Sequence, residues 1–142
     1  VSNVSVDGRR QKWWLHHVLS PLLLHFPTTL FACNFIGPTA CLCFKKEQMQ
    51  LFNPSLCWAV DYEWYYRMLQ TSHVRYLRTN YIRSHHGHKG QISQTIDIQK
   101  VRQSDNETLR KMYASHLRIR LFLFIGKAIH KFLLALHSKR TH

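Results

Sequence analysis

The stretch from Leu51 to Leu69 combines a turn signal with a helix signal, and it holds two of the seven acidic residues in the chain. Residues 53–55, Asn-Pro-Ser, are typical of a turn, and from Asp61 onward the apolar residues recur at the spacing of an α-helix. Asp61 and Glu63 therefore fall in the first helical turn, where unpaired backbone N–H groups and the helix dipole favour an ionised carboxylate. A carboxylate held ionised and in one direction is suited to accepting a proton. Acids also occur at helix starts for stability alone, and the sequence leaves both interpretations open.

Basic residues outnumber acidic ones by 20 to 7 in this chain of 142 residues, and the formal net charge is +13. A hydrophobic content of 45% is enough for a packed core, so we expect one domain rather than a disordered polymer. A surface this basic attracts anions, which include nucleotide phosphates, anionic lipid head groups and nucleic acid. The charge alone does not choose among these partners.

The four cysteines are Cys33, Cys41, Cys43 and Cys57, and all of them lie in apolar surroundings in the sequence. They form neither the C-x-x-C pairs of a zinc knuckle nor the regular spacing of a secreted disulfide framework. We therefore expect buried free thiols in a reducing compartment.

Local patterns in the first two thirds of the chain predict a helix followed by strands. A Ser-Pro dipeptide at 20–21 predicts the start of a short helix through Phe26. Residues 30–36 and 40–44 are β-suited runs on either side of a Gly-Pro dipeptide, which predicts a strand, a tight turn and a second strand. The alternating pattern over 74–83 predicts one or two further strands.

Ser104 and Glu107 have the spacing of a capping box, which predicts that a long helix begins there. Apolar and basic residues then separate onto two sides of this helix, with Gly126 as a point where it is expected to bend or split. The apolar positions are Leu117, Leu121, Ile125, Ile129, Phe132, Leu133 and Leu136, and the basic positions are Arg120, Lys127 and Lys131. Charges within the apolar run make it too polar to span a membrane. Either the helix lies on an anionic membrane, or its apolar side packs on the domain or on a partner.

Residues 85–90 predict a cationic loop in which three of the first four residues are histidines. Zinc sites take ligands that converge from separate elements, and the H-H-x-H pattern on one loop lacks that arrangement. A dedicated zinc site is therefore not expected, and the simplest interpretation is a solvated loop.

Several groups of residues occur in an order and spacing that resemble one known family. The central group is Phe52, Asn53, Leu56, Asp61, Glu63, Tyr65, Arg67, Met68 and Leu69; upstream are Asn34–Thr39 and Cys43–Lys46, and downstream are Arg83–His85 and Gln91–Ser93. Through these groups, most of the chain from residue 28 to residue 115 resembles the catalytic domain of family 2 glycosyltransferases.

The resemblance implies an α/β fold, namely a partial GT-A-like nucleotide-diphospho-sugar transferase fold, followed by a long C-terminal basic amphipathic helix. It divides the chain into a catalytic-domain part at residues 1–104 and a basic helical tail at 105–142. This family carries an acidic D-x-D pair in a preceding nucleotide-binding half, and no such pair precedes Asp61, since Asp7 and Glu47 are isolated. The chain is thereby identified as the acceptor-side part of such a domain, without the nucleotide-binding half.

The resemblance also implies an activity and a set of site residues. The chain would contribute the acceptor side of an inverting sugar transfer from a nucleotide-diphosphate sugar to a saccharide or lipid-linked acceptor. Asp61 would be the general base, and Glu63 would orient it or bind acceptor hydroxyls. Substrate contacts would come from Asn34, Gly37, Pro38, Trp58, Arg83, Gln91 and Ser93, and His85 would face the donor diphosphate or its metal. The implied cofactor is a divalent ion, Mg or Mn, bound mostly by the missing half.

Two other interpretations compete with this one. A non-catalytic basic module would bind anionic membrane or nucleic acid through its cations and interleaved aromatic residues, which explains the charge but not the acids. No nucleic-acid-binding motif is recognisable, so no specific nucleic acid is expected. Alternatively, Asp61 and Glu63 would themselves bind the metal, although such a pair normally ends a buried strand. As a transferase part, the chain is expected in the cytoplasm or as a peripheral protein at the inner face of the plasma membrane.

Overall fold

The computed structural model describes residues 2–5, 20–37, 39–77, 81–84 and 96–138. Its regular elements are strand β1 (Ser2–Ser5), helix α1 (Val60–Thr71), strand β2 (Tyr81–Ser84), helix α2 (Ile98–Met112) and helix α3 (Leu117–Ser138), with short 3-10 helices at Pro27–Phe31, Thr39–Cys41 and Lys46–Gln48. Residues 20–23 are also helical, at the position where the Ser-Pro dipeptide predicts a helix start.

The predicted α/β fold with a GT-A-like sheet is wrong, because the core that the structure describes is helical. The run 30–36, predicted as a strand, ends a 3-10 helix and continues as a turn, and the run 40–44 begins in another 3-10 helix. Both runs have β-suited side chains, but those side chains pack against helices instead of pairing with a neighbouring strand, and packing overrides local propensity. In the described ranges the one strand pairing joins β1 to β2 in parallel, over four residues each.

Helix α1 lies between two groups of buried side chains, and this position makes it the centre of the core. On one side Trp64, Tyr65 and Met68 pack with Leu30 and Phe35. On the other side the residues just before the helix pack with α2 and α3 in a cluster formed by Phe31, Leu56, Ala59, Leu109, Ile119 and Leu123. Burial on both sides determines the orientation of α1, and with it the position of the acids in its first turn.

The turn predicted before α1 is confirmed at Asn53. Its Oδ1 atom accepts a hydrogen bond from the backbone N–H of Ser55 at 2.9 Å, and its carbonyl accepts one from the N–H of Leu56 at 3.2 Å. Such a self-bonded asparagine closes a turn without help from the rest of the fold. Local chemistry therefore sets the point at which the chain enters α1.

Helix α2 begins earlier than the capping-box pattern predicted. Asp97 is its N-cap, and its Oδ1 atom accepts hydrogen bonds from the N–H groups of Gln99 and Lys100, both at 3.1 Å. Ser104 therefore lies within the helix, where its carbonyl accepts a hydrogen bond from the Thr108 hydroxyl. The helix starts at the Asp97 cap because Asp97 satisfies two of the unpaired N–H groups about two turns before Ser104. The boundary predicted between residues 104 and 105 falls inside this helix.

The predicted long C-terminal helix is two helices, because the chain turns at residues 113–115 before α3 begins. Gly126 does not split α3, which is continuous through it. A Cβ atom at Gly126 would lie 2.9 Å from the Cα and carbonyl oxygen of Ala32 and 3.0 Å from the carbonyl oxygen of Phe31. The glycine is required because the α3 backbone passes directly over the chain that follows the 3-10 helix Pro27–Phe31. None of the described helices is long and apolar enough to cross a membrane.

Candidate functional site: a cleft beside Asp61

A cleft of about 530 Å³ opens where the start of α1 meets the turn at residues 32–34, helix α2 and helix α3. Its lining contains three of the side chains that the sequence predicted for the site, namely Asn34, Trp58 and Asp61. They come from positions up to 27 residues apart, and the packing of α1 on the chain at 30–35 brings them together. A concave site with a few polar groups among apolar ones is the usual form of a small-molecule site.

Asp61 is half-buried in this cleft, and burial raises the pKa of its carboxyl above the ordinary value of 3.8. The direction is opposite to the one expected from a helix start. Among the described residues, none donates a hydrogen bond to this carboxylate and none forms an ion pair with it. A carboxylate with a raised pKa and free lone pairs is a stronger proton acceptor than one held by hydrogen bonds.

Asp105, a residue of α2, places its carboxylate at the start of α1. Its Oδ2 atom accepts hydrogen bonds from the backbone N–H groups of Trp58 and Ala59, both at 2.7 Å, and both carboxylate oxygens lie 3.2 Å from the N–H of Cys57. Only 4% of Asp105 is exposed. Its negative charge already compensates the positive end of the α1 dipole, so Asp61 gains little from that dipole.

Side chains of α2 and α3 also line the cleft. They include Arg102, Lys127 and His130, and a terminal nitrogen of Arg102 lies 3.4 Å from Nδ1 of His130. Over the described ranges, neither Arg102 nor Lys127 has a carboxylate within 4 Å. The cleft therefore contains a proton acceptor together with two positively charged side chains that have no ion-pair partner among the described residues, a combination that suits a reaction in which negative charge develops.

Glu63 lies outside this cleft and serves the core. It is completely buried, and its two carboxylate oxygens accept hydrogen bonds from Nε and a terminal nitrogen of Arg67, at 2.8 and 3.1 Å. The Tyr113 hydroxyl donates a third hydrogen bond at 2.8 Å, and burial together with this bond raises the pKa of Tyr113. Arg67 also donates to the carbonyl of Leu51 at 2.8 Å. Glu63 thus ties α1 to the chain before it and to the end of α2, so a catalytic role for it stays a prediction.

Asn34 and Gly37 form one closed turn. The Asn34 amide oxygen accepts from the N–H groups of Ile36 and Gly37, and the amide nitrogen donates to the Gly37 carbonyl at 3.1 Å. That carbonyl also accepts the Tyr65 hydroxyl at 3.1 Å, which ties the turn to α1. Gly37 has a φ of 95°, a conformation that favours glycine. Asn34 lines the cleft but uses its amide to hold the turn.

The remaining predicted site residues are not brought to the cleft by anything that the structure describes. Arg83 is a residue of β2, while Pro38, His85, Gln91 and Ser93 lie outside the described residues. Within the described ranges, no group of three or more His, Cys, Asp or Glu side chains is placed to hold a metal ion. The expected divalent metal and its contact with His85 therefore stay predictions.

The cysteines are free thiols, as predicted for residues outside a disulfide framework, but most of them are not buried. Cys41 is buried, whereas Cys33, Cys43 and Cys57 are exposed. The strands expected to bury them are absent, and Cys33 and Cys57 instead line the cleft. Because both thiols are exposed, a thiol-reactive reagent can modify the cleft at either position.

The sequence analysis did not assign Asp105, Arg102 or Lys127 to the candidate site, although all three line the cleft. Asp105 lies four residues after Val101 and four before Leu109, which is completely buried, so it occupies a core position on an amphipathic helix. Burying a carboxylate at such a position costs free energy unless the carboxylate is hydrogen-bonded. An acid at a core position of the helix was therefore the sequence feature that could have indicated a structural role for Asp105. Arg102 and Lys127 carried no comparable signal, because their positions in the sequence are those of ordinary surface cations.

Comparisons with protein-family models, with curated proteins and with solved structures found no match to this chain.

Proposed function

We propose that this chain supplies the acceptor side of an inverting sugar transfer, with Asp61 as the general base. The observation that carries the proposal is the state of Asp61: its carboxylate is half-buried in a cleft, its pKa is raised by burial, and no described residue occupies its lone pairs. The donor is a nucleotide-diphosphate sugar and the acceptor is a hydroxyl of a saccharide or lipid-linked glycan. The resemblance of the stretch around Asp61 to family 2 glycosyltransferases supports this choice of reaction.

The proposed step balances one proton and one electron pair. Asp61 takes the proton of the acceptor hydroxyl as the oxygen forms a bond to the anomeric carbon of the donor. The bond from that carbon to the nucleotide diphosphate breaks, and the departing oxygen keeps its electron pair. Arg102 and Lys127, which line the same cleft, are the described cations available to stabilise the negative charge that develops. Trp58 lines the cleft and supplies an apolar surface of the kind on which sugar rings stack.

Blocking the cleft through Cys57 tests its place in the reaction. We expect N-benzylmaleimide to abolish nucleoside-diphosphate release by the protein when Cys57 is the reactive thiol, in the variant Cys33→Ser/Cys43→Ser. The reagent fills space that the acceptor needs next to Asp61. The assay is diphosphate release from a panel of nucleotide sugars with saccharide acceptors.

The matched control keeps Cys43, which is exposed and does not line the cleft, in the variant Cys33→Ser/Cys57→Ser. Labelling this variant is expected to leave the rate unchanged, and Cys41 stays unmodified in both variants because it is buried. Equal rates for the two labelled variants would show that the acceptor binds elsewhere.

A second feature supports a location at an anionic membrane surface. The side of α3 that carries Ile119 and Leu123 packs into the core, so the opposite side faces outward. That outer face presents Leu117, Leu121, Phe124 and Phe132, each more than half exposed. Exposed Arg120, Lys127 and Lys131 lie beside it. An apolar stripe flanked by cations matches a bilayer with anionic head groups, and we propose that α3 docks there as a peripheral contact.

Vesicle co-sedimentation of the full chain tests this docking. We expect Leu121→Ser/Phe124→Ser to lower the fraction bound to vesicles that contain phosphatidylglycerol by about tenfold or more, because two apolar side chains lose their burial in the bilayer. Both residues are exposed, at 54% and 64%, so folding should be preserved. The control Met49→Ser/Leu51→Ser removes two equally exposed apolar side chains away from α3 and should bind as the parent does. If the α3 variant instead changes only the elution volume in gel filtration, the face is a contact between copies of the chain.

A further inference from the structure

Helices α2 and α3 enclose a second cavity of about 350 Å³, here called the α2–α3 groove. Its charged lining is mostly positive: Arg102 and Arg110 come from α2, and Lys127 and Lys131 come from α3. Glu107 is the one acid in the lining, and its carboxylate is 3.5 Å from the amide nitrogen of Gln103. The remaining polar lining consists of Gln99, Gln103, Asn106 and His130.

Among the described residues, no carboxylate lies within 4 Å of any of these four cations, and Glu107 is the one acid that lines the same groove. Like charges that line one concavity repel one another, although solvent and salt weaken the effect at exposed side chains such as Arg110 and Lys131. A bound anion would offset this repulsion.

We propose that the α2–α3 groove binds a phosphate or diphosphate group. Two arginines offer planar donor pairs that match phosphate oxygens, and two lysines on the facing helix add point charges from the other side. Neutral donors are also present, since Gln99, Gln103 and Asn106 line the groove with their amides. A carboxylate ligand would satisfy fewer of these donors than a tetrahedral phosphate, which offers three or more oxygens.

The groove adjoins the cleft beside Asp61, since Arg102, Asn106, Leu123, Lys127 and His130 line both cavities. A ligand whose phosphate lies in the groove is therefore next to the cleft that contains the proposed base. Under the proposed function, on which this step rests, Arg110 and Lys131, which line the groove but not the cleft, would bind the phosphate of a phosphorylated acceptor and direct its sugar end to Asp61, while Arg102 and Lys127 serve the departing diphosphate. The phosphate belongs either to a soluble sugar phosphate or to a lipid phosphate at a membrane surface.

Calorimetric titration of the full chain with inorganic pyrophosphate tests the site. We expect Arg110→Gln/Lys131→Gln to weaken pyrophosphate binding by about tenfold or more, because hydrogen bonds between charged partners are lost. Both side chains are exposed, so the fold should survive, and thermal melting checks this. The control Lys45→Gln/Lys46→Gln removes the same charge at exposed positions outside the groove and should change the affinity by less than about twofold. Equal weakening by the two double variants overturns the proposal, because it shows attraction to net charge alone.

Two further arms separate the sources of the phosphate and the two proposals. The first compares binding to phosphatidylcholine vesicles with and without phosphatidic acid. If the groove variant loses the binding that depends on phosphatidic acid, the ligand is a lipid phosphate. If it loses pyrophosphate binding but binds vesicles as the parent does, the ligand is a soluble phosphate. Asp61→Asn is expected to keep pyrophosphate binding, since Asp61 does not line the groove. A transferase role can therefore fail, as an unchanged rate of diphosphate release in Asp61→Asn would show, while pyrophosphate binding that only the groove variant weakens still supports the phosphate site.

Discussion

Replacing Asp61 with asparagine is expected to slow sugar transfer by about 10²- to 10⁴-fold, the usual effect of removing a positioned general base. Asparagine keeps the shape of the side chain but accepts no proton, so binding of donor and acceptor should change little. The measurement, which tests the proposed function, is the rate of nucleoside-diphosphate release by the protein at saturating substrate. The parent rate should also fall as the pH drops through the raised pKa of Asp61, whereas the residual rate of the variant should not.

The same substitution should leave stability unharmed at neutral pH, and this separates a base from a structural helix acid. Because burial raises the pKa of Asp61, the folded chain binds this proton more tightly than the unfolded chain. The resulting stabilisation is present in full below the ordinary value of 3.8 and is lost as the pH rises through the raised value. Asparagine does not ionise, so Asp61→Asn loses no stabilisation as the pH rises. At pH 7 the variant should therefore melt at or above the melting temperature of the parent. A fully active variant that melts several degrees lower would show that Asp61 only stabilises the helix start.

Replacing Asp105 is expected to have the largest effect on folding. Asp105→Ala removes the acceptor for the N–H groups of Cys57, Trp58 and Ala59 and should lower the free energy of unfolding by about 4 kcal/mol, because each buried unpaired donor costs about 1–3 kcal/mol. Asp105→Asn should cost about half as much, since its amide oxygen can still accept two of these bonds while its NH₂ group faces the third donor. Urea denaturation with unchanged slope is the measurement.

Glu107→Ala is the control for Asp105 because it removes an exposed acid from the same helix. Its effect should stay within about 0.5 kcal/mol, as for most surface substitutions. If Asp105→Ala and Glu107→Ala unfold at the same urea concentration, the three N–H groups have another acceptor.

The stretch around Asp61 shows how far local patterns reach. The turn at Asn53 and the helix that starts before Asp61 follow from side chains that bond to their own backbone and from apolar residues at helical spacing, and both are confirmed. The strands predicted over 30–36 and 40–44 are wrong, because local propensity does not determine what an element packs against. β-branched and aromatic residues suit any half-buried surface, and only the elements packed against them decide whether that surface belongs to a sheet.

Some features of the candidate site likewise follow from local sequence, and others depend on tertiary packing. The sequence by itself determined that Asp61 stands in the first turn of a helix, that this helix follows an Asn-Pro-Ser turn, and that the chain is strongly basic, because each of these depends on composition or on neighbours a few residues apart. Only the tertiary structure decided that Asp105 occupies the start of α1, that Tyr113 donates a hydrogen bond to Glu63, and that Arg102 and Lys127 line the same cleft as Asp61. The Glu63–Arg67 pair, by contrast, lies within one helix at a spacing of four residues, which is a local pattern. The other contacts join residues about 40 to 70 positions apart, and their distances and burial depend on how the helices pack, which the spacing of residues along the chain does not contain.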